Sequence, residues 1–86
     1  MQKSIIKYLQ SKGYSVFKTI ATNRRGIADI IACSPLGVFT AIEVKLQYNK
    51  PSPLQLHYIE EVKACNGVAF VAYSLDDVKN TIDIKV

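Results

Sequence analysis

Asp29, Glu43 and Lys45 are the residues of this chain whose surroundings ask for a chemical explanation. Asp29 is the only charge between Ile27 and Cys33, a run that is otherwise almost entirely apolar. Glu43 and Lys45 close a second apolar run, Val38 to Lys45, rich in β-branched residues. A charge inside such a run costs free energy unless it is paired or holds a metal ion. Both runs read as β-strands, and the turn formers Ser34-Pro35-Leu36-Gly37 between them predict a hairpin. Side chains alternate faces along a strand, so Glu43 and Lys45 share one. Pairing Cys33 near Phe39 sets Asp29 opposite Glu43, with Cβ atoms about 5 Å apart. Two bare carboxylates that close repel one another. A hard divalent cation, Mg²⁺ or Mn²⁺, between them removes the repulsion. The cation lowers the pKa of a bound water, and Lys45 balances negative charge developing on a phosphate. The chemistry this suits is phosphodiester hydrolysis. A simpler arrangement remains open at this stage: Asp29 as a turn residue, and Glu43 paired with Lys45 on a solvated face.

The flanking elements must hold these groups in place. Gln2 to Lys12 carries Ile5, Ile6 and Leu9 on one side, predicting an amphipathic helix that Gly13 ends. Tyr14 to Ile20 reads as a first strand. The polar connection after it holds Arg24 and Arg25 just ahead of the Asp29 strand. Their guanidinium forks suit phosphates flanking a scissile bond. Gly26 permits close backbone approach. After Lys45, the loop to Lys50 offers Tyr48 for stacking and Lys50 for phosphate contact. Ser52-Pro53-Leu54-Gln55 has the form of a capping box opening a helix to about Cys65, with Leu54, Tyr58, Val62 and Cys65 on one face. Gln55 therefore has a capping role, which does not exclude a role in the site. His57 reads as a surface histidine. Val68 to Tyr73 lacks alternation, as a central or parallel strand would. Ser74 caps a short helix through Lys79, and Thr81 to Val86 reads as an edge strand or a dimer contact. The order α-β-β-β-α-β-α gives an α/β fold, a mixed sheet flanked by helices.

The wording Gly26-Ile27-Ala28-Asp29-Ile30-Ile31-Ala32-Cys33, a short turn, then Phe39-Thr40-Ala41-Ile42-Glu43-Val44-Lys45 resembles the PD-(D/E)XK nuclease superfamily. More narrowly it resembles a stand-alone VRR-NUC domain, as do Lys50-Pro51-Ser52-Pro53-Leu54-Gln55 and the Ala69-Phe70-Val71-Ala72 strand. The resemblance runs from about Gln2 to Lys79. It implies a restriction-endonuclease-like core in which Asp29 and Glu43, with the Val44 carbonyl, hold Mg²⁺. Lys45 is then the catalytic lysine, and Gln55 the glutamine that starts the following helix near the site. It further implies a homodimer acting on DNA, with four-way (Holliday) junctions as the substrate of compact members. Two positions depart from the family pattern. Ala28 stands where proline is frequent. Met1-Gln2-Lys3-Ser4 holds no acid where the first helix usually carries a glutamate, and Gln2 is the nearest equivalent. A non-catalytic nucleic-acid-binding module on the same fold is the alternative.

At 86 residues the chain is expected to form one domain, 1–86. Its hydrophobic content of 49% is generous for that size, and burial against a second copy would absorb the surplus. No run approaches the ~20 apolar residues of a membrane span. Lys3 and Lys7 interrupt any apolar leader, so a cytoplasmic protein is expected. Cys33 and Cys65 lack metal-type spacing and read as buried, reduced thiols. Charge is uneven. Residues 1–50 carry eight Lys/Arg and two acids, a balance of +6, and residues 51–86 a balance of −2. The two acids in the first half are Asp29 and Glu43 themselves, so the other charges there are those of a phosphate-facing surface.

Overall fold

The hairpin register organises everything else. In the computed structural model, which describes residues 1–20 and 25–85 (the side chains of 84 and 85 excepted), Cys33 pairs with Phe39, as the turn chemistry predicts. Ser34 fixes that turn. Its hydroxyl accepts from the backbone of Leu36 at 3.2 Å and of Val38 at 2.9 Å. The hairpin strands are β2 (Ile30–Cys33) and β3 (Phe39–Val44). β1 (Ser15–Lys18) adds antiparallel to β2, and β4 (Val68–Ala72) adds parallel to β3. The sheet order is β1-β2-β3-β4. β4 is thus parallel, as its unalternating sequence suggests, but lies at the margin of the sheet.

Helices cover both faces. The helix α1 (Gln2–Ser11) and the C-terminal helix α3 (Leu75–Lys85) pack on one face. Ile5, Leu9, Ile30, Ile42, Val78 and Ile82 form the core there. The remaining helix, α2 (Pro53–Ala64), covers β3 and β4 on the other face. Its Tyr58, Ile59 and Val62 meet Ile31, Ala41 and Ala69. Ser52 caps α2 as the sequence predicts. Asn66, at φ 68°, ends it in a Schellman arrangement, with the Gly67 N–H donating to the Val62 carbonyl at 2.9 Å. The α-β-β-β-α-β-α order and the mixed, helix-flanked sheet are those expected. Among the described residues no helix is long and apolar enough to cross a membrane.

Three expectations are corrected. Thr81 to Lys85 is not an edge strand but the continuation of α3, and Val86 lies outside the described residues. The reason is packing: Leu75, Val78 and Ile82 recur at helical spacing and join the core with Ile5 and Leu9, which overrides local β propensity. Cys33 and Cys65 are free thiols, as expected, but exposed rather than buried. Cys33 ends β2 beside the hairpin turn, and Cys65 is the C-cap of α2. Finally, the inward face of α2 is Gln55-Tyr58-Ile59-Val62, while Leu54 and Cys65 turn outward. The helix is rotated so that a polar residue, not a leucine, heads the buried stripe.

Ile82 tests the helical end. It is 3% exposed. Truncating Ile82→Ala should cost about 2–4 kcal/mol, the range of a buried isoleucine cavity, in urea denaturation. An edge-strand side chain would cost well under 1 kcal/mol.

Candidate active site

The register that closes the hairpin also builds the site. Continuing Ile30↔Ile42 by one step sets Asp29 against Glu43, and Glu43 in turn pairs with Val71. On the far side the Thr19 N–H donates to the Asp29 carbonyl at 2.8 Å. Thr19, Asp29, Glu43 and Val71 thus form one row across the sheet, on the face that carries α2. Asp29 sits at a bend immediately before β2. The Thr19 hydroxyl steadies that bend by donating to the Ala28 and Asp29 carbonyls at 2.7 and 3.0 Å. The Asp29 Oδ2 reaches across to accept from the Val44 N–H at 2.9 Å. An open turn at Asp29 would not hold a side chain so firmly.

Glu43 is the most constrained group. It is only 2% exposed. Its Oε2 accepts from the Gln55 Nε2 at 2.8 Å and lies 3.4 Å from the Lys45 Nζ. Its Oε1 is buried with no hydrogen-bond partner among the described residues. Burial raises the Glu43 carboxyl above its ordinary value of 4.5, the Asp29 carboxylate raises it further, and Lys45 opposes both. The ion pair with Lys45 exists, but not on a solvated face.

Gln55 serves two structures at once. Its Oε1 accepts from the Ser52 N–H at 2.8 Å, completing the capping box. That bond leaves the amide nitrogen to face Glu43. The cap therefore fixes which end of the amide the carboxylate meets. Gly26, at φ +80°, lies against this same helix start. A Cβ there would stand 2.7 Å from the Leu54 Cβ and 2.8 Å from the Leu54 carbonyl carbon. Only glycine fits, and the packing brings Gly26, with Arg25 next to it in the chain, up to the N-terminus of α2.

The other sequence-selected residues are less tightly placed. Arg25 is exposed immediately before Gly26, and Arg24 lies outside the described residues. Tyr48 and Lys50 are exposed on the loop joining β3 to α2, and His57 is exposed on α2. Gln2 is half-buried at the start of α1, with its Oε1 buried and without a partner among the described residues. Thr19 was not selected by sequence reasoning. Its role depends on the β1–β2 register, and nothing local to it signals this.

The donor set suits a hard divalent cation. Two carboxylates converge, and among the described residues one buried carboxylate oxygen has no proton donor to satisfy it. Among the described residues no group of three or more His, Cys, Asp or Glu gathers in one place. Mg²⁺ is commonly held by one or two carboxylates with water completing its shell.

A four-stranded mixed sheet with α2 over a carboxylate pair and a lysine belongs to the nuclease-like α/β class. A solved structure named "VRR_NUC domain" is similar over 95% of this chain and 89% of its own, with 30% identity and a TM-score of 0.81. This chain belongs to the VRR-NUC domain family. No family model matches the sequence, and no curated protein matches it.

The raised Glu43 value has a sign that can be checked. The unfolded chain ionises this group near 4.5, while the folded chain keeps its proton to higher pH. Proton uptake therefore favours folding, fully below 4.5, and that contribution is lost as pH rises through the folded value. In metal-free buffer Glu43→Gln should melt above the native protein at neutral pH, and the gap should close toward pH 4. Thermal denaturation in chelator across this range checks it; parallel curves would contradict it. Added Mg²⁺ should raise the melting temperature of the native protein and not that of Glu43→Gln.

Proposed function

We propose that this chain is a divalent-metal-dependent DNA endonuclease. The observation that carries the reading is the buried Glu43 carboxylate, set against Asp29 across the sheet with the Lys45 ammonium alongside, its Oε1 without a donor among the described residues. Asp29, Glu43 and the Val44 carbonyl would hold Mg²⁺, with Mn²⁺ as a substitute, and the ion would supply Lewis acidity and a water of lowered pKa. The chain's own groups do the rest. Asp29 is anchored through the Val44 N–H, and Gln55 holds one Glu43 oxygen so that the other stays free. Lys45 offsets negative charge on the phosphate as the water adds in line with the leaving oxygen. Arg24, Arg25 and Lys50 bind the flanking phosphates, a fit to the +6 balance of residues 1–50.

The substrate we favour is branched DNA, the four-way junction that the family resemblance implies, cut by a homodimer with two sites. Phe17 and Phe39 support a dimer. They lie on the face that carries α2 yet are 60% and 45% exposed, Phe17 on β1, outside the cover of α2, and Phe39 at the hairpin end of β3. A second reading, a DNA-binding module without catalysis, draws on Gln2 standing where an acid would reinforce metal binding.

Cleavage of four-way, flap and linear DNA decides between them. Asp29→Ala, Glu43→Ala and Lys45→Ala should each lower the rate by at least about 10²-fold, and chelation should abolish it. Undiminished cleavage by all three variants would exclude this site. Salt-dependent DNA binding with no cleavage, and no Mg²⁺ uptake by calorimetry, would establish the binding module. Sedimentation should give a dimer for the native chain and a monomer for Phe17→Glu.

A further inference from the structure

The loop between β3 and α2 forms the lip of the site, because it begins at Lys45 and leads into the first turn of α2, which carries Gln55. Within it Leu46 to Asn49 make a tight turn closed by the Asn49 N–H donating to the Leu46 carbonyl at 3.0 Å. Tyr48 occupies the third position with φ 75°. That is the position of a type II turn where glycine, or failing it asparagine, is favoured. A side chain with a Cβ is strained there, and a bulky one most of all.

Among the described residues only one other non-glycine residue has a positive φ, Asn66. Asn66 is the residue type such a position tolerates, and it ends α2. Tyr48 has neither excuse. It is 89% exposed, so packing does not account for it. A fold that needed only a turn would place glycine here. Backbone strain combined with an exposed aromatic points outward, to something the ring meets beyond the chain. Its neighbours fit a nucleic acid. Leu46 is exposed beside it, Lys45 and Lys50 bracket the turn, and the chain up to residue 50 is basic apart from the two carboxylates of the site.

We infer that Tyr48 is a stacking wedge, backed by Leu46, that seats on a base or base-pair face exposed where duplex stacking is interrupted. In a continuous duplex no such face is available. At a branch point one is, and stacking on it is sequence-tolerant because every base has a π-face. Lys50, exposed beyond the turn, takes an adjoining phosphate. The wedge therefore makes the lip of the site a sensor of DNA structure rather than of sequence. It rests on the proposed action on branched DNA, and gives that preference a physical origin.

Binding tests it independently of cleavage. Affinities for a four-way junction and for a linear duplex of the same sequence are measured with Glu43→Gln as the parent, then with Tyr48→Gly, Tyr48→Trp and Lys50→Ala added. Tyr48→Gly should lower the junction-to-duplex ratio about tenfold, and Tyr48→Trp should retain it. Lys50→Ala should weaken both substrates alike. Tyr48→Gly should also melt no lower than its parent, since it relieves the turn. A parent that binds neither DNA would fail the nucleic-acid reading itself, and the wedge with it. A parent that binds both, with an unchanged ratio in Tyr48→Gly, would overturn the wedge alone. So would a lower melting temperature, which makes Tyr48 structural, or a loss of self-association at constant ratio, which assigns the ring to a second copy.

Discussion

The structure depends on keeping one carboxylate almost dry. Glu43 lies on a central strand, 2% exposed, opposite a second acid. In such surroundings an ionised oxygen demands compensation. Gln55 and Lys45 satisfy one oxygen, and among the described residues the other is left without a proton donor. Every element on this face is arranged around that imbalance. The hairpin register brings Asp29 across, the Thr19 hydroxyl steadies the bend that presents it, and the rotation of α2 turns an amide inward where a leucine would otherwise lie.

The two faces of the sheet divide the work. Beneath α1 and α3 the core is built from Ile5, Leu9, Ile30, Ile42, Val78 and Ile82, with no charge among them. That face supplies the apolar burial a short chain needs. The face under α2 is compromised: its core shares a strand surface with the carboxylates and it leaves Phe17 and Phe39 uncovered. Stability and chemistry are thus separated by the thickness of one sheet. α2 itself couples them, since the residue that completes its N-terminal cap also orients Glu43.

The approach to the site is controlled from two directions. Gly26, which follows Arg25, lies against the first turn of α2, where any side chain would collide with Leu54. On the other side the strained turn at Tyr48 rises between the two elements that hold the site. An exposed arginine and an exposed aromatic ring are means by which backbone charge and exposed bases are commonly engaged.

Much of this was legible in the amino-acid order because it depends on local rules. Alternation and the Ser34–Gly37 turn were enough for the hairpin register, and that register by itself sets Asp29 against Glu43. Ser52 and Gln55 announced the cap of α2, and Asn66-Gly67 its end. Other features were out of reach because they arise from distant partners. The alternating tail after Thr81 looks like a strand until Ile82 finds Leu9 and Ile5. The exposure of both cysteines follows from their places at the ends of elements, Cys33 at the end of β2 and Cys65 at the C-cap of α2. The inward turn of Gln55 could not be read from hydrophobic spacing, since it is the buried charge on the neighbouring strand that draws it in. The sequence by itself determined which groups could meet; packing across the sheet decided how deeply they were buried, and so which oxygen was left without a partner.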